Sequence, residues 1–272
     1  MGPMKILPFA ACVWTFCACT TESEPNGLTD TGAEAISEST ETAEALEALK
    51  EMSEFLADQQ HLSFEANVNF DVVQPVGHKL EFGSTRNVTL RRPDRVYLAV
   101  QHRDGFEQFL YFDGNSLSAH VPSRNAYARE EVPGTVTAAL DFLVEELGVP
   151  APLGDLIHPS LYSELAEEID SGLWVGEESL GGVFCDHFVF RTPEVDLQLW
   201  IEQGDHPLPH RLVITYRQHP GAPQFRAQLR EWNIAAETPD RLFLFDPPAD
   251  AERLSFPKLF ELSEPVAAGE QR

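Results

Sequence analysis

Cysteine is scarce in this chain and poorly placed for cross-linking. There are four in 272 residues; Cys12, Cys17 and Cys19 crowd the first nineteen positions, and Cys185 stands alone. That spacing excludes a disulfide framework for the body of the chain, so the fold stands on its core. Basic residues are scarce too: 19 Lys and Arg face 44 Asp and Glu, for a formal charge of −25. A chain so acidic repels phosphate backbones, which excludes nucleic acid as a partner. Beyond the N-terminus no apolar run reaches the roughly 18 residues of a membrane-spanning helix. Also missing are a Gly-x-Ser-x-Gly elbow, a Gly-rich phosphate loop and a Cys-x-x-Cys pair.

What is present begins with an address. Met1 to Lys5 carries one positive side chain, and Ile6 to Ala18 is almost wholly apolar. A charged start, an apolar stretch and small residues before a cut describe an export signal over 1–18. Phe16-Cys17-Ala18-Cys19 resembles a bacterial lipobox, which implies lipidation of Cys19; an ordinary cleaved signal is the alternative. Thr20 follows in place of the Asp that commonly retains lipoproteins at the inner membrane, so the resemblance leans to the outer membrane. Two or more acyl chains hold a protein firmly, one only marginally. Residues 19–42 are rich in Ser, Thr, Glu and Gly and read as an acidic flexible tether. From Glu22 to Asp58 eleven acids face one base, Lys50, so much of the net charge sits in this lead.

From Ala43 the apolar period is helical, through Leu46, Leu49, Met52 and Leu56, and predicts an amphipathic helix of roughly 17 residues. The period then becomes two. Phe64, Ala66, Val68, Phe70 and Val72 alternate with polar residues, predicting a long half-buried strand. Turn residues at Pro75-Val76-Gly77, Arg92-Pro93-Asp94, Asp104-Gly105 and Asp113-Gly114-Asn115 help to divide the first half of the body into six strands. Thr135 is a good N-cap for a helix over Val136 to Leu147, and Ser160 for a short helix to about Ile169. Five more strands run from Leu173 to Ile234. Consecutive hairpins imply an antiparallel sheet. Glu107 to Phe112 has apolar residues on both faces, which predicts cover on both sides. The body, 43–256, is read as mainly antiparallel β with helices, and 257–272 as a flexible tail.

Certain stretches carry a resemblance. They are Arg92-Pro93-Asp94-Arg95, Tyr111-Phe112-Asp113-Gly114-Asn115-Ser116-Leu117 and Pro152-Leu153-Gly154-Asp155-Leu156. They continue with Val183-Phe184-Cys185-Asp186-His187, Gln198-Leu199-Trp200-Ile201 and Pro207-Leu208-Pro209. In this order the chain resembles the lipoprotein-carrier fold of LolA and LolB, and more narrowly a family of predicted periplasmic proteins with that architecture. The resemblance implies a curved half-barrel of about eleven strands with a helical lid on its concave face, where the carriers hold acyl chains. It leaves Asp113, Gly114, Cys185, His187, Gln198 and Trp200 as motif residues without a role.

Candidate chemistry is sparse. Cys185 and His187, two apart on a strand, share a face and could make an activated thiolate or half a metal site; a buried thiol beside a satisfied imidazole is the plain alternative. His206 and His210 are four apart, but Pro207 and Pro209 between them exclude a regular helix. Trp200 reads as packing. No cofactor, metal or catalytic set is expected. The expected function is non-enzymatic binding of an apolar or lipid-like ligand. Its lining would be Phe64, Val68, Phe70, Phe82, Val88, Leu90, Val96, Leu98, Val100, Leu110 and Phe112. The alternatives are a protein-interaction or sensory module on the same fold and, less so, an enzyme using Cys185 and His187.

Overall fold

The computed structural model describes residues 31–149 and 151–261, with side chains from Thr40 onward. The export signal, Cys19 and the first part of the tether lie outside the described residues. The chain opens with α1 (Thr31–Asp58) and then lays down β1 (His61–Val73), β2 (Lys79–Arg91), β3 (Arg95–His102), β4 (Glu107–Phe112), β5 (Ser116–Val121) and β6 (Ala126–Glu131). A helical segment comes next: α2 (Val136–Asp141), continued by a π turn (Phe142–Glu146), then α3 (Pro152–Ile157) and α4 (Leu161–Glu168). The sheet resumes with β7 (Ser171–Leu180), β8 (Val183–Arg191), β9 (Val195–Glu202), β10 (Pro209–Tyr216) and β11 (Gln224–Asn233). Last come β12 (Glu252–Arg253) and α5 (Phe256–Glu261).

The strands form one open, curved sheet in the order β12-β6-β5-β4-β3-β2-β1-β11-β10-β9-β8-β7. Every pairing is antiparallel except β12 on β6. Two meanders are joined where β1 meets β11, with Phe70 opposite Phe225 and Ala66 opposite Leu229. The alternation in β1 fixes its register. Phe64, Ala66 and Val68 are buried on one face, with Val88, Arg86 and Ser84 as their partners on β2.

Three features depart from the sequence reading. α1 starts at Thr31, inside the expected tether, where Ala and Glu support helix and proline is absent. Ser160 does not cap α4 with its side chain; its hydroxyl is taken up by His158 and Glu164. Residues 257–261, expected to begin the tail, belong to α5, where Leu259 is fully buried. Thr135, in contrast, caps α2 as expected, accepting from the Ala138 N–H at 3.3 Å.

The cover on the two faces differs. α1, α3 and α4 pack on the concave face, where Ala45, Leu49, Met52, Leu56, Leu156 and Leu165 join the strands in one core. The convex face of the first meander is covered by the irregular segment after β11. Phe245 stacks on Tyr111 at 5.2 Å, and the Arg91 guanidinium lies 5.3 Å from the fully buried Phe243 ring. Arg91 also donates to the Thr238 carbonyl at 2.8 Å. This strap explains the two-faced apolar pattern of β4. Phe243→Ala should lower the unfolding free energy by about 3–5 kcal/mol. Leu244→Ala, at an exposed neighbour, should change it by less than about 0.5 kcal/mol. Urea denaturation checks both, and equal effects would contradict the strap.

Candidate functional site

All eleven residues expected to line a ligand face lie on the concave side. The register sets Phe64 beside Val88 and Leu98, Phe70 beside Phe82, and Leu90 beside Val96 and Phe112, with Leu110 opposite Leu98. Their burial grades along the strands. Leu90 and Phe112 are fully buried near the Arg92 turn, whereas Phe70, Phe82 and Leu98 are only half-buried. The concave face of β1 to β4 therefore forms an apolar trough that is closed at the Arg92 end and partly open at the other.

Beside the trough, under α1, α3 and α4, the packing is tighter. A cavity of about 40 Å³ lies between Leu49, Leu156 and Leu165 of the helices and Leu197, Leu199 and Leu212 of the sheet. That is room for a few waters and far below the ~300 Å³ or more of an ordinary ligand pocket. None of the eleven expected residues lines it. The helices are fastened to the sheet by Arg92. Its guanidinium donates to the Ile157 carbonyl at 2.7 Å and the Leu56 carbonyl at 3.4 Å, the C-terminal ends of α3 and α1.

The motif residues fall into two groups. Asp113 accepts from the N–H groups of Asn115 at 2.9 Å and Ser116 at 2.8 Å, closing the β4–β5 turn. Burial raises its carboxyl, but those donors and Arg95 outweigh burial and hold it below the usual range. Gly114 has φ +85°, and a Cβ there would sit 2.6 Å from Arg95 Nη1 and 2.7 Å from Asp94 Oδ2. The stretches around Arg92 and Asp113 thus meet in one node, and its Pro93 carbonyl receives the Val136 N–H at the start of α2. The second group lies on the convex face. His187 stacks on Trp200 at 3.9 Å and 9°, its Nε2 is 3.2 Å from Gln198 Oε1, and Arg211 covers the Trp200 ring at 5.2 Å.

Cys185 is fully buried, its thiol aimed at the Val183 carbonyl and pushed up to about 11 by burial and then by Glu202. A nucleophile needs the opposite environment. Glu178 Oε1 lies 3.3 Å from His187 Nδ1, at ion-pair distance but outside hydrogen-bond geometry. Elsewhere, His210 Nε2 pairs with Glu202 Oε2 at 2.9 Å and His206 packs on Phe55. Among the described residues no three His, Cys, Asp or Glu side chains gather as a metal site.

One charged residue sits where an apolar one is expected. Arg86 occupies the concave parity of β2, between Ala66 and Val100. The break in alternation at Ser84 and Arg86, between Phe82 and Val88, was the signal in the sequence.

A family model for predicted periplasmic proteins (DUF2092) matches residues 45–257. The chain belongs to this family. No curated protein matches it. Among solved structures, the lipoprotein LppX of Mycobacterium tuberculosis is 12% identical with a TM-score of 0.47, over 72% of this chain and 98% of that one. LprF of Mycobacterium bovis is 14% identical with a TM-score of 0.45, over 77% and 98%. A LolA-superfamily protein of Nitrosomonas europaea is 10% identical with a TM-score of 0.37, over 74% and 97%. At such identity the likeness is one of fold alone.

The small cavity holds one titrating group. Asp155 lines it from α3, and burial, followed by the neighbouring Glu164, raises its carboxyl from 3.8 to about 7. The folded chain thus keeps a proton that the unfolded chain releases near pH 4. Stability should fall as pH rises from about 4 through 7. Asp155→Asn should flatten that part of the pH–stability curve and be the more stable protein at pH 8. Chemical denaturation at pH 5 and pH 8 checks this; an unchanged slope in the variant would contradict it.

Proposed function

We propose that this protein is a non-enzymatic binding protein of the cell envelope that holds an apolar, lipid-like molecule on the concave face of its sheet. The half-open trough of β1 to β4 supports this reading most directly. Phe70, Phe82, Leu98 and Phe106 are half-buried there on one side of an otherwise closed core. Leaving such a face partly uncovered forgoes about 25 cal/mol per Å² of apolar area, which an acyl chain would recover. The cavity under the helices is too small for a chain, so a ligand in the trough extends under them only if they shift outward. The short α3 and α4 are the elements suited to move: Arg92 ties α3 to the sheet end, and the Tyr162 N–H at the start of α4 donates to the Ser53 hydroxyl of α1 at 3.2 Å. The family's description as predicted periplasmic proteins supports an envelope location. We extend this to an outer-membrane anchor through Cys19.

A second reading, a protein-interaction module, has its own observation. Among the described residues β7 is one edge of the sheet, and Leu173, Trp174, Val175 and the adjacent Phe184 are exposed there. Unprotected apolar edges attract other strands.

The mature protein, purified from cell envelopes, should give a native mass spectrum with one bound molecule, and organic extraction should recover a lipid. The denatured spectrum of the same sample reads whether Cys19 carries acyl chains. Protein that is empty and binds no long-chain amphiphile would overturn the lipid reading. A protein partner captured from a photo-crosslinker at Trp174 would then favour the second.

A further inference from the structure

The trough contains a cation that the fold does not use. The arginines of the sheet and its turns are mostly engaged: Arg92 and Arg129 donate to backbone carbonyls, Arg211 covers the Trp200 ring, and others meet carboxylates. Arg103, Arg191, Arg226 and Arg230 each find one. Arg86 does not. Among the described residues its one hydrogen bond runs from Nε to the Ser84 hydroxyl at 3.3 Å, and it makes no ion pair. Acids on the same strands, such as Glu81 and Glu107, have the opposite parity and face the convex side.

Arg86 is flanked by Ala66 and Val100, with Val68 and Val88 beside them. In these surroundings desolvation alone lowers it from 12.5 to about 10, with no acid opposing the effect. It stays charged at neutral pH. Arg86 is half-buried: its stem lies among these apolar residues, while its guanidinium is not sealed from water and is free to receive an incoming anion. The nearest polar groups on the same face are donors as well. His102 faces Ser84 across the β2–β3 ladder and is half-buried. Burial, then Arg86, holds its imidazole below the usual range, so it is neutral and retains one N–H. The Gln108 amide lies one strand further, opposite Val100.

We propose that Arg86 is the head-group site of the trough, and that the ligand is an anionic amphiphile. Its carboxylate or phosphate oxygens are received by the guanidinium, with Ser84 and His102 beside it. Its acyl chain lies over Leu98 and Phe82. This rests on the binding function proposed above and names the ligand class for the same face. The planar fork of arginine suits a carboxylate or a phosphate ester equally.

The test uses the full-length protein and measures binding of palmitate, lysophosphatidic acid and neutral monopalmitoyl glycerol. Wild type should bind at least one of the two anions about ten-fold or more tightly than the neutral lipid. Which anion it prefers separates a fatty-acid ligand from a phospholipid-derived one. Arg86→Met should abolish that preference while leaving the neutral lipid unchanged, and Arg86→Lys should restore part of it. Melting curves of the variants exclude unfolding, and Arg86→Met should melt no lower than wild type. Equal binding of all three lipids by wild type, or an undiminished anion preference in Arg86→Met, would overturn the head-group site and leave lipid binding standing. No binding of any of the three would overturn both.

Discussion

An antiparallel sheet of twelve strands has two faces to shield from water, and this chain has few helices with which to do it. That constraint organises the molecule. The long α1 and the short α3 and α4 cover the concave side of the second meander and the centre. An irregular strap carrying Phe243 and Phe245 covers the convex side of the first. The far concave end of β1 to β4 is left, where among the described residues Phe70, Phe82 and Phe106 stay half-buried.

The joints of this arrangement are polar. Arg92 grips the C-terminal carbonyls of α1 and α3, where the helix dipoles concentrate negative charge. The Pro93 carbonyl takes the first N–H of α2, and Gly114 leaves space for the Asp94–Arg95 pair. The helices are held at the Arg92 end by these bonds and at the start of β7 by Thr42, whose hydroxyl donates to the Gly172 carbonyl at 3.3 Å and accepts its N–H at 3.1 Å.

Much of the fold was legible because strands with one wet face advertise it. Phe64 to Val72 alternates cleanly, and the register set by that alternation places every expected lining residue on one side. The two-faced pattern of Glu107 to Phe112 correctly demanded a second cover. It did not say that Phe243 and Phe245 provide it, because a proline-rich segment without periodicity carries no signal of where it docks. The helix boundary at Thr31 was missed because the same Glu- and Ser-rich composition serves a tether and a solvated helix. Arg86 was visible only as a gap in the apolar face of β2. That it meets no carboxylate among the described residues became apparent once β1 and β3 were laid beside it. Cys185 and His187, the most chemical-looking pair in the sequence, prove to be packed: one against a carbonyl, the other against Trp200.

The central claim is that the half-open concave face of β1 to β4 receives a lipid chain. Paramagnetic broadening by a doxyl-labelled stearate, read by NMR on isotope-labelled protein, tests it most directly. Loss of signal should concentrate at Phe82, Leu98 and Phe106 and spare Cys185 and Trp200 on the convex face. Broadening centred instead on Leu173, Trp174 and Phe184, or none at saturating probe, would contradict the account.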